Sequence, residues 1–231
     1  TKALLDMFDP SIDSRYNASF QTVWYANKAG TANGNTFVVG DTAAVAEKVT
    51  LTPAEMNARK YFTYDISKVY GPDEVPVQRR YYVSLKKFKD STRSSLAEAQ
   101  SARDVYIMRL AEMYLIAAEA EMKIGKLDSA VYYLNAIRRR AAWPGQEANM
   151  EITESDVTLD FILDERAREL AGEQLRWFDL KRTNTLVSRT QAMNHDGAQY
   201  IQPYHGLRPI PQGQLDAVTN KEEFTQNEGY Q

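Results

Sequence analysis

The sequence predicts a mainly α protein with tetratricopeptide-like helical hairpins and a long irregular flank that carries short strands. Three observations predict it. Apolar and small residues recur at helical spacing after about residue 100. Glycine and proline punctuate that pattern where helices must stop. Residues 1–100 are rich in aromatics and turn formers but hold no long periodic segment. The expected division is therefore residues 1–100, an irregular aromatic-rich region, and residues 101–231, a helical region with a loop-rich tail.

The flank carries Trp24, Tyr25, Tyr61, Phe62, Tyr64, Tyr70, Tyr81 and Tyr82, broken by Gly30, Gly34, Gly40, Pro53, Gly71, Pro72 and Pro76. Thr36-Phe37-Val38-Val39 and Tyr81-Tyr82-Val83-Ser84-Leu85 have the β-branched and aromatic content of short strands. A first helix is expected over 103–123, with Met108, Ala111, Leu115, Ala118 and Met122 on its inner face. Gly125 supplies a left-handed cap. A second helix starts near Asp128 and buries Ala130, Leu134, Ile137 and Ala141. Trp143-Pro144-Gly145 ends it, because proline cannot continue a helix. Tyr114, Ala118, Gly125, Ala130 and Leu134 fall at the offsets of a tetratricopeptide hairpin, with Pro144 two residues later than that repeat places its proline. One such repeat cannot bury both its faces, so further helices must pack on it. A third helix is expected over 158–182, bent near Gly172, with Leu159, Ile162, Leu163, Ala167 and Leu170 facing inward. The tail reads as loop.

Composition narrows the chemistry. With 231 residues the chain can bury a real core, and 43% hydrophobic with 26% charged residues is globular rather than disordered. The net charge of −3 disfavours general nucleic-acid binding, which draws on excess Lys and Arg. There is no cysteine, so disulfides, thiolate metal sites and a cysteine nucleophile are excluded. Two histidines make a multi-histidine metal centre unexpected. No apolar run approaches the roughly 20 residues that span a bilayer. The first residues, Thr1-Lys2-Ala3-Leu4-Leu5, show no secretory signal. No Walker loop, dinucleotide fingerprint, serine elbow or zinc-protease motif is present, and no cofactor is expected.

The third helix carries a resemblance. Ile162-Leu163-Asp164-Glu165-Arg166-Ala167-Arg168-Glu169-Leu170-Ala171-Gly172-Glu173, followed by Arg176-Trp177-Phe178-Asp179-Leu180-Lys181-Arg182, resembles the signature of the SusD/RagB family, the surface nutrient-binding lipoproteins of the Bacteroidota outer membrane. The stretch 83–90, with its Lys87-Phe88-Lys89-Asp90 ending, is similar to the segment before that family's repeat helices. Residues 109–120 resemble the first repeat helix and residues 134–141 its partner. Pro209-Ile210-Pro211 and Gln226-Asn227-Glu228-Gly229-Tyr230 resemble the family's ending, with Glu228 and Arg208 as departures. Residues 183–202 match nothing in that pattern.

The resemblance implies a SusD-like fold and a chain that is the C-terminal part of a longer protein. A signal peptide, a lipidated cysteine and most tetratricopeptide helices would lie in the missing part. It implies non-catalytic capture of an oligosaccharide or other nutrient at the outer surface, with delivery to a SusC-like TonB-dependent β-barrel. Membrane association would come only through the lipid anchor, and nucleic acid would not be a partner. A tetratricopeptide scaffold for a protein partner is the alternative, and a glycoside hydrolase the more remote one.

The charged set Glu165, Arg166, Glu169, Glu173, Arg176, Asp179 and Arg182 has spacings of three and four, which bring opposite charges onto one helical face. An enzymatic reading takes two of these carboxylates as an acid/base pair. An arginine within one turn of each keeps it ionised instead, so a structural ion-pair lattice is expected. For the ligand, sugars bind by stacking an aromatic plane on their C–H face with polar side chains at the hydroxyl rim. Trp24, Tyr25 and Asn27, with Asn17 and Gln21 near in sequence, supply both ingredients, as do Tyr61 and Tyr64 in Tyr61-Phe62-Thr63-Tyr64-Asp65. Trp177-Phe178 reads as core and Trp143 as a staple on a helix end. His195 and His205 read as solvated loop residues. Arg138-Arg139-Arg140 reads as cations complementing a helix C-terminus.

Overall fold

The computed structural model describes residues 1–48, 51–78, 83–95, 97–220 and 222–230. Their order begins with α1 (Lys2–Asp6) and α2 (Arg15–Ser19), then β1 (Phe20–Gln21), β2 (Val23–Tyr25), β3 (Gly30–Ala32), β4 (Asn35–Phe37) and β5 (Thr42–Glu47). Next come α3 (Pro53–Asn57), β6 (Phe62–Asp65) and β7 (Ser84–Leu85). Strands β3 and β4 form a hairpin across Asn33-Gly34, whose φ angles of 50° and 75° suit the tight two-residue turn that matches strand twist. Strands β2, β5 and β6 form a three-stranded sheet in that order, antiparallel then parallel. The parallel crossover runs through α3, which Thr52 and Glu55 open with a reciprocal capping box ahead of Pro53. Strands β1 and β7 pair Phe20 with Leu85.

The flank has its own small core of Leu5, Phe8, Tyr16, Phe20, Ala46 and Ile66. Phe8, Tyr16 and Phe20 form a ring triangle with centroids 5.6–6.0 Å apart, in the tilted and edge-on arrangements that aromatic quadrupoles favour. Of the two expected strands, the first is realised as β4, which ends at Phe37 rather than Val39. The second appears as β7, and Tyr81 and Tyr82 lie outside the described residues.

The helical region is an antiparallel pair, α4 (Leu110–Lys123) and α5 (Leu127–Ala141), turning at Gly125 with φ 80°. Leu115, Ala118, Ala130 and Leu134 are all fully buried between them. Alanines at the crossing let the backbones approach closely. The first helix starts at Leu110, not near 103, and Ile107 just ahead of it is 97% exposed. Then follow α6 (Glu147–Met150), α7 (Leu159–Glu169), α8 (Arg176–Arg182), α9 (Leu186–Met193), α10 (His195–Ala198) and α11 (Gln212–Ala217). Buried Asn135 on α5 pairs both its amide atoms with the backbone of Ile152, which ties the strap between α6 and α7 to the hairpin.

Three expectations are corrected. The expected bend near Gly172 is a full break: α7 ends at Glu169 and α8 begins at Arg176. Gly172 takes φ 78°, and the carbonyls released at the end of α7 are capped by cations from elsewhere: Lys87 Nζ at 2.9 Å and Arg109 Nη2 at 2.7 Å both reach the Glu169 oxygen. Phe178 is not core but 64% exposed, while Trp177 is half-buried under the Arg208 guanidinium at 4.8 Å. Adjacent helical residues point about 100° apart, and α8 turns Asp179 and Leu180 inward instead. The tail is not all loop, since α9 and α10 occupy the stretch between 183 and 202.

Trp143 joins the two regions. Its Nε1 donates to the Pro10 carbonyl at 2.9 Å and its backbone N–H to Ile12 at 2.9 Å. Among the described residues no helix is long and apolar enough to cross a membrane.

Candidate functional site

The β2–β5–β6 sheet arranges the flank's aromatics. Its register sets Trp24 opposite Ala44 and Ala44 beside Phe62, so the three form one row. Side chains in a row share a face, and Ala44 is the small residue between the two aromatics. The next row on that face, Ala46 and Tyr64, is packed into the Phe8 core. The Trp24 row therefore stands at the edge where the core stops covering the sheet. Trp24 is 36% exposed and Phe62 58%. Tyr25, at a β-bulge one residue on, is also exposed, as is Asn27 in the following turn. Asp41 and Lys60 pair at 2.8 Å, and Asp41 accepts from the Val38 N–H at 3.0 Å.

The five residues singled out for ligand contact thus divide. Trp24, Tyr25 and Asn27 lie on the surface. Tyr61 is half-buried with the Arg59 guanidinium 5.6 Å from its ring centre, and Arg59 pairs with Glu47. Tyr64 is half-buried against the core. Phe62, between them, is the exposed aromatic of β6. Strand alternation alone does not identify it, because Phe62 and Tyr64 share a face and only the core's edge separates them.

The charged set sits in the other region, on α7 and α8. Glu165, fully buried, receives Arg15, Arg138 and Arg168, each at 2.7 Å. Glu169 receives Arg15 at 3.0 Å, Arg109 at 2.7 Å and Arg140 at 2.5 Å. Glu173 receives Arg109 at 2.8 Å and also Lys87. On an adjoining face Arg166 pairs with Asp179 at 2.7 Å, Asp179 with Arg182 at 3.0 Å and Arg182 with Glu119 at 2.6 Å. Burial alone would raise the Glu165 carboxyl, but three guanidiniums outweigh it and hold it well below the usual range. The same balance lowers Glu169 and Glu173. Hydrogen bonds from Arg182 bring Glu119 down to about 2. Carboxylates held ionised in this way cannot serve as general acids near neutral pH. Arg176 differs from the rest of its set. It donates to the Leu163 carbonyl at 2.6 Å, and among the described residues no carboxylate lies within ion-pair distance of it. The break at Gly172 takes it out of the spacing that a continuous helix would give.

Arg138, Arg139 and Arg140 fill the last turn of α5 and also pair with Glu165, Glu151 and Glu169. His195 Nδ1 lies 3.4 Å from Glu74, and His205 Nδ1 accepts the Gln202 N–H at 2.8 Å. Among the described residues no three His, Asp or Glu side chains are grouped to hold a metal ion.

Comparison with known proteins gives a consistent set of relatives. The family model described as SusD family matches residues 7–230. SusD-like protein P25 of Formosa agariphila is 34% identical over 129 residues, which is 54% of this chain and 24% of that protein. The Starch-binding protein SusD of Bacteroides thetaiotaomicron is 30% identical over 131 residues, 55% of this chain and 22% of that one. The solved structure of selenomethionine BT4246 superposes with a TM-score of 0.53 over 94% of this chain and 38% of its own, at 19% identity, a likeness of fold. The matched stretch is about a quarter of the length of either curated relative.

Proposed function

The chain belongs to the SusD family, and on that premise we propose that it is part of a non-catalytic protein that captures oligosaccharide at the cell surface and delivers it to a SusC-like TonB-dependent outer-membrane transporter. The observation that carries the capture step is the exposed row of Trp24 and Phe62 at the rim of the β2–β5–β6 sheet. Two aromatic planes flanking a small residue suit the flat faces of consecutive sugar rings, and Tyr25, Asn27 and Asp41 lie close in sequence and register to meet their hydroxyls. Tyr61 and Tyr64 then act behind this surface, shaping it from the half-buried side. Residues 1–100 form the ligand face in this reading and residues 101–231 the rigid scaffold. The starch-binding name of one relative supports glycan as the ligand class. A lipid anchor on a preceding segment would hold the protein at the outer membrane.

The test is isothermal titration of the chain with a panel of neutral oligosaccharides, repeated on Trp24→Ala and Phe62→Ala. Saturable binding of at least one glycan, weakened roughly tenfold in each variant while the circular dichroism spectrum is kept, is the expected result. Glycan binding untouched by either substitution moves the site elsewhere.

The scaffold reading has one observation in its favour. Leu110, Met113 and Ile116 make a stripe along α4 with exposures of 43–68%. Further repeat helices or a protein partner would cover it, and co-purification of a partner without glycan binding would favour that reading.

A further inference from the structure

A cleft of about 580 Å³ opens between α1, α7, α8 and α9, away from the aromatic sheet. Its volume is in the range of small-molecule sites. The walls are hydrocarbon: Leu4, Met7, Leu180, Leu186 and Ile201. The guanidiniums of Arg166 and Arg176 also line it. Arg166 is 96% buried (4% exposed) and is matched by Asp179 at 2.7 Å from Nε and Glu112 at 3.9 Å from Nη2. Arg176 has the Leu163 carbonyl and no ion-pair partner among the described residues. The other charged residues on the wall are already matched. Arg189 is taken by Asp160 and Asp164, and both oxygens of Asp179 are taken by Arg166 and Arg182. The cleft thus sets one guanidinium with no carboxylate within ion-pair distance among the described residues, Arg176, on a largely apolar wall.

We propose that this cleft binds a small amphipathic carboxylate, with its hydrocarbon body against the apolar walls and its carboxylate on the Arg176 guanidinium. An arginine–carboxylate contact against apolar walls is among the stronger polar interactions. A neutral sugar fits poorly, because these walls offer its hydroxyls few partners. The site is therefore separate from the proposed glycan surface and stands or falls independently of it.

The probes are octanoate and 1-octanol, which differ only in the head group, titrated below the concentration at which octanoate forms micelles. One saturable octanoate site is expected, at least tenfold tighter than for 1-octanol. Arg176→Gln should remove that tenfold preference and leave 1-octanol binding as it was. Arg176→Lys should keep part of it. Thr190→Trp on the α9 wall should block both ligands, and Trp24→Ala should change neither. Equal affinity for the two probes, an unchanged preference in Arg176→Gln, or no saturable binding to the folded chain would overturn the assignment.

Discussion

The two halves of the molecule use their side chains in opposite ways. In the helical half charge is turned inward: Glu165, Glu169, Arg166 and Asp179 are all buried and matched, while large apolar residues such as Leu110 and Phe178 face outward. In the strand-bearing half the small core is aromatic, and aromatic side chains also spill onto the surface at Trp24, Tyr25 and Phe62. Desolvating a charge is expensive unless several partners meet it, and once met it is intolerant of losing one. An exposed aromatic row is the reverse. Its removal leaves the fold unstressed and changes only what the surface can hold. The helical half should therefore tolerate loss of its buried charges poorly, and the strand-bearing half should tolerate loss of its exposed aromatics well.

The contrast can be broken by substitution. Glu165→Ala should cost about 3–5 kcal/mol, because it takes one of three carboxylates from buried Arg15 and leaves Arg138 and Arg168 without their shared acceptor. Urea unfolding measures it, and a cost under about 1 kcal/mol would end the view of α7 as the charged keystone. Gly172→Ala should cost about 1–3 kcal/mol in the same assay. Its φ of 78° is unfavourable for alanine, and the new Cβ would come within 2.2 Å of Leu85 Cδ2. Trp24→Ala should weaken glycan binding roughly tenfold, about 1.4 kcal/mol, with unfolding unchanged.

Acid sharpens the same comparison. Glu119 is lowered from its ordinary value of 4.5 to about 2, chiefly by Arg182. A depressed carboxylate contributes stability fully above its unfolded pKa, and that contribution is lost as pH falls from about 4.5 towards 2. The expected result is that Glu119→Gln is less stable than the parent at pH 7 and that the gap closes by pH 2. A gap independent of pH would show that the carboxylate's charge is not what matters. The smallest effect belongs to Phe178→Ala, which should shift stability by less than about 0.5 kcal/mol because the ring is mostly in solvent.

Much of the helical half is legible in the sequence, since α4 and α5 have the period, the turn glycine and the small crossing residues that local physics requires. The stripe of Glu165, Glu169 and Glu173 is legible too, from its spacing of four. Its partners are not. Arg15, Lys87 and Arg109 arrive from distant segments, and nothing local marks them. The same limit hides the break after α7, because the Lys87 and Arg109 caps that make it affordable are tertiary. In the flank, Asn33-Gly34 is a local hairpin signal, and it pairs the strand content near Thr36-Phe37 with Gly30–Ala32, whose own composition does not mark a strand. Which aromatic of β6 is exposed depends on where the neighbouring core ends, and Phe62 emerges only from the folded sheet.

Arg15 has one further consequence. It meets Glu165 and Glu169 across 150 and 154 residues of chain. Closing so long a loop is entropically slow, whereas α4 and α5 meet across a three-residue turn. The hairpin should form early and the Arg15 junction among the last. Until it closes, the charges it joins can stay hydrated, so an incompletely folded chain suffers little from their separation. The junction then acts as a late check on completeness: only a chain whose first and last thirds have both found their places can dehydrate these charges together.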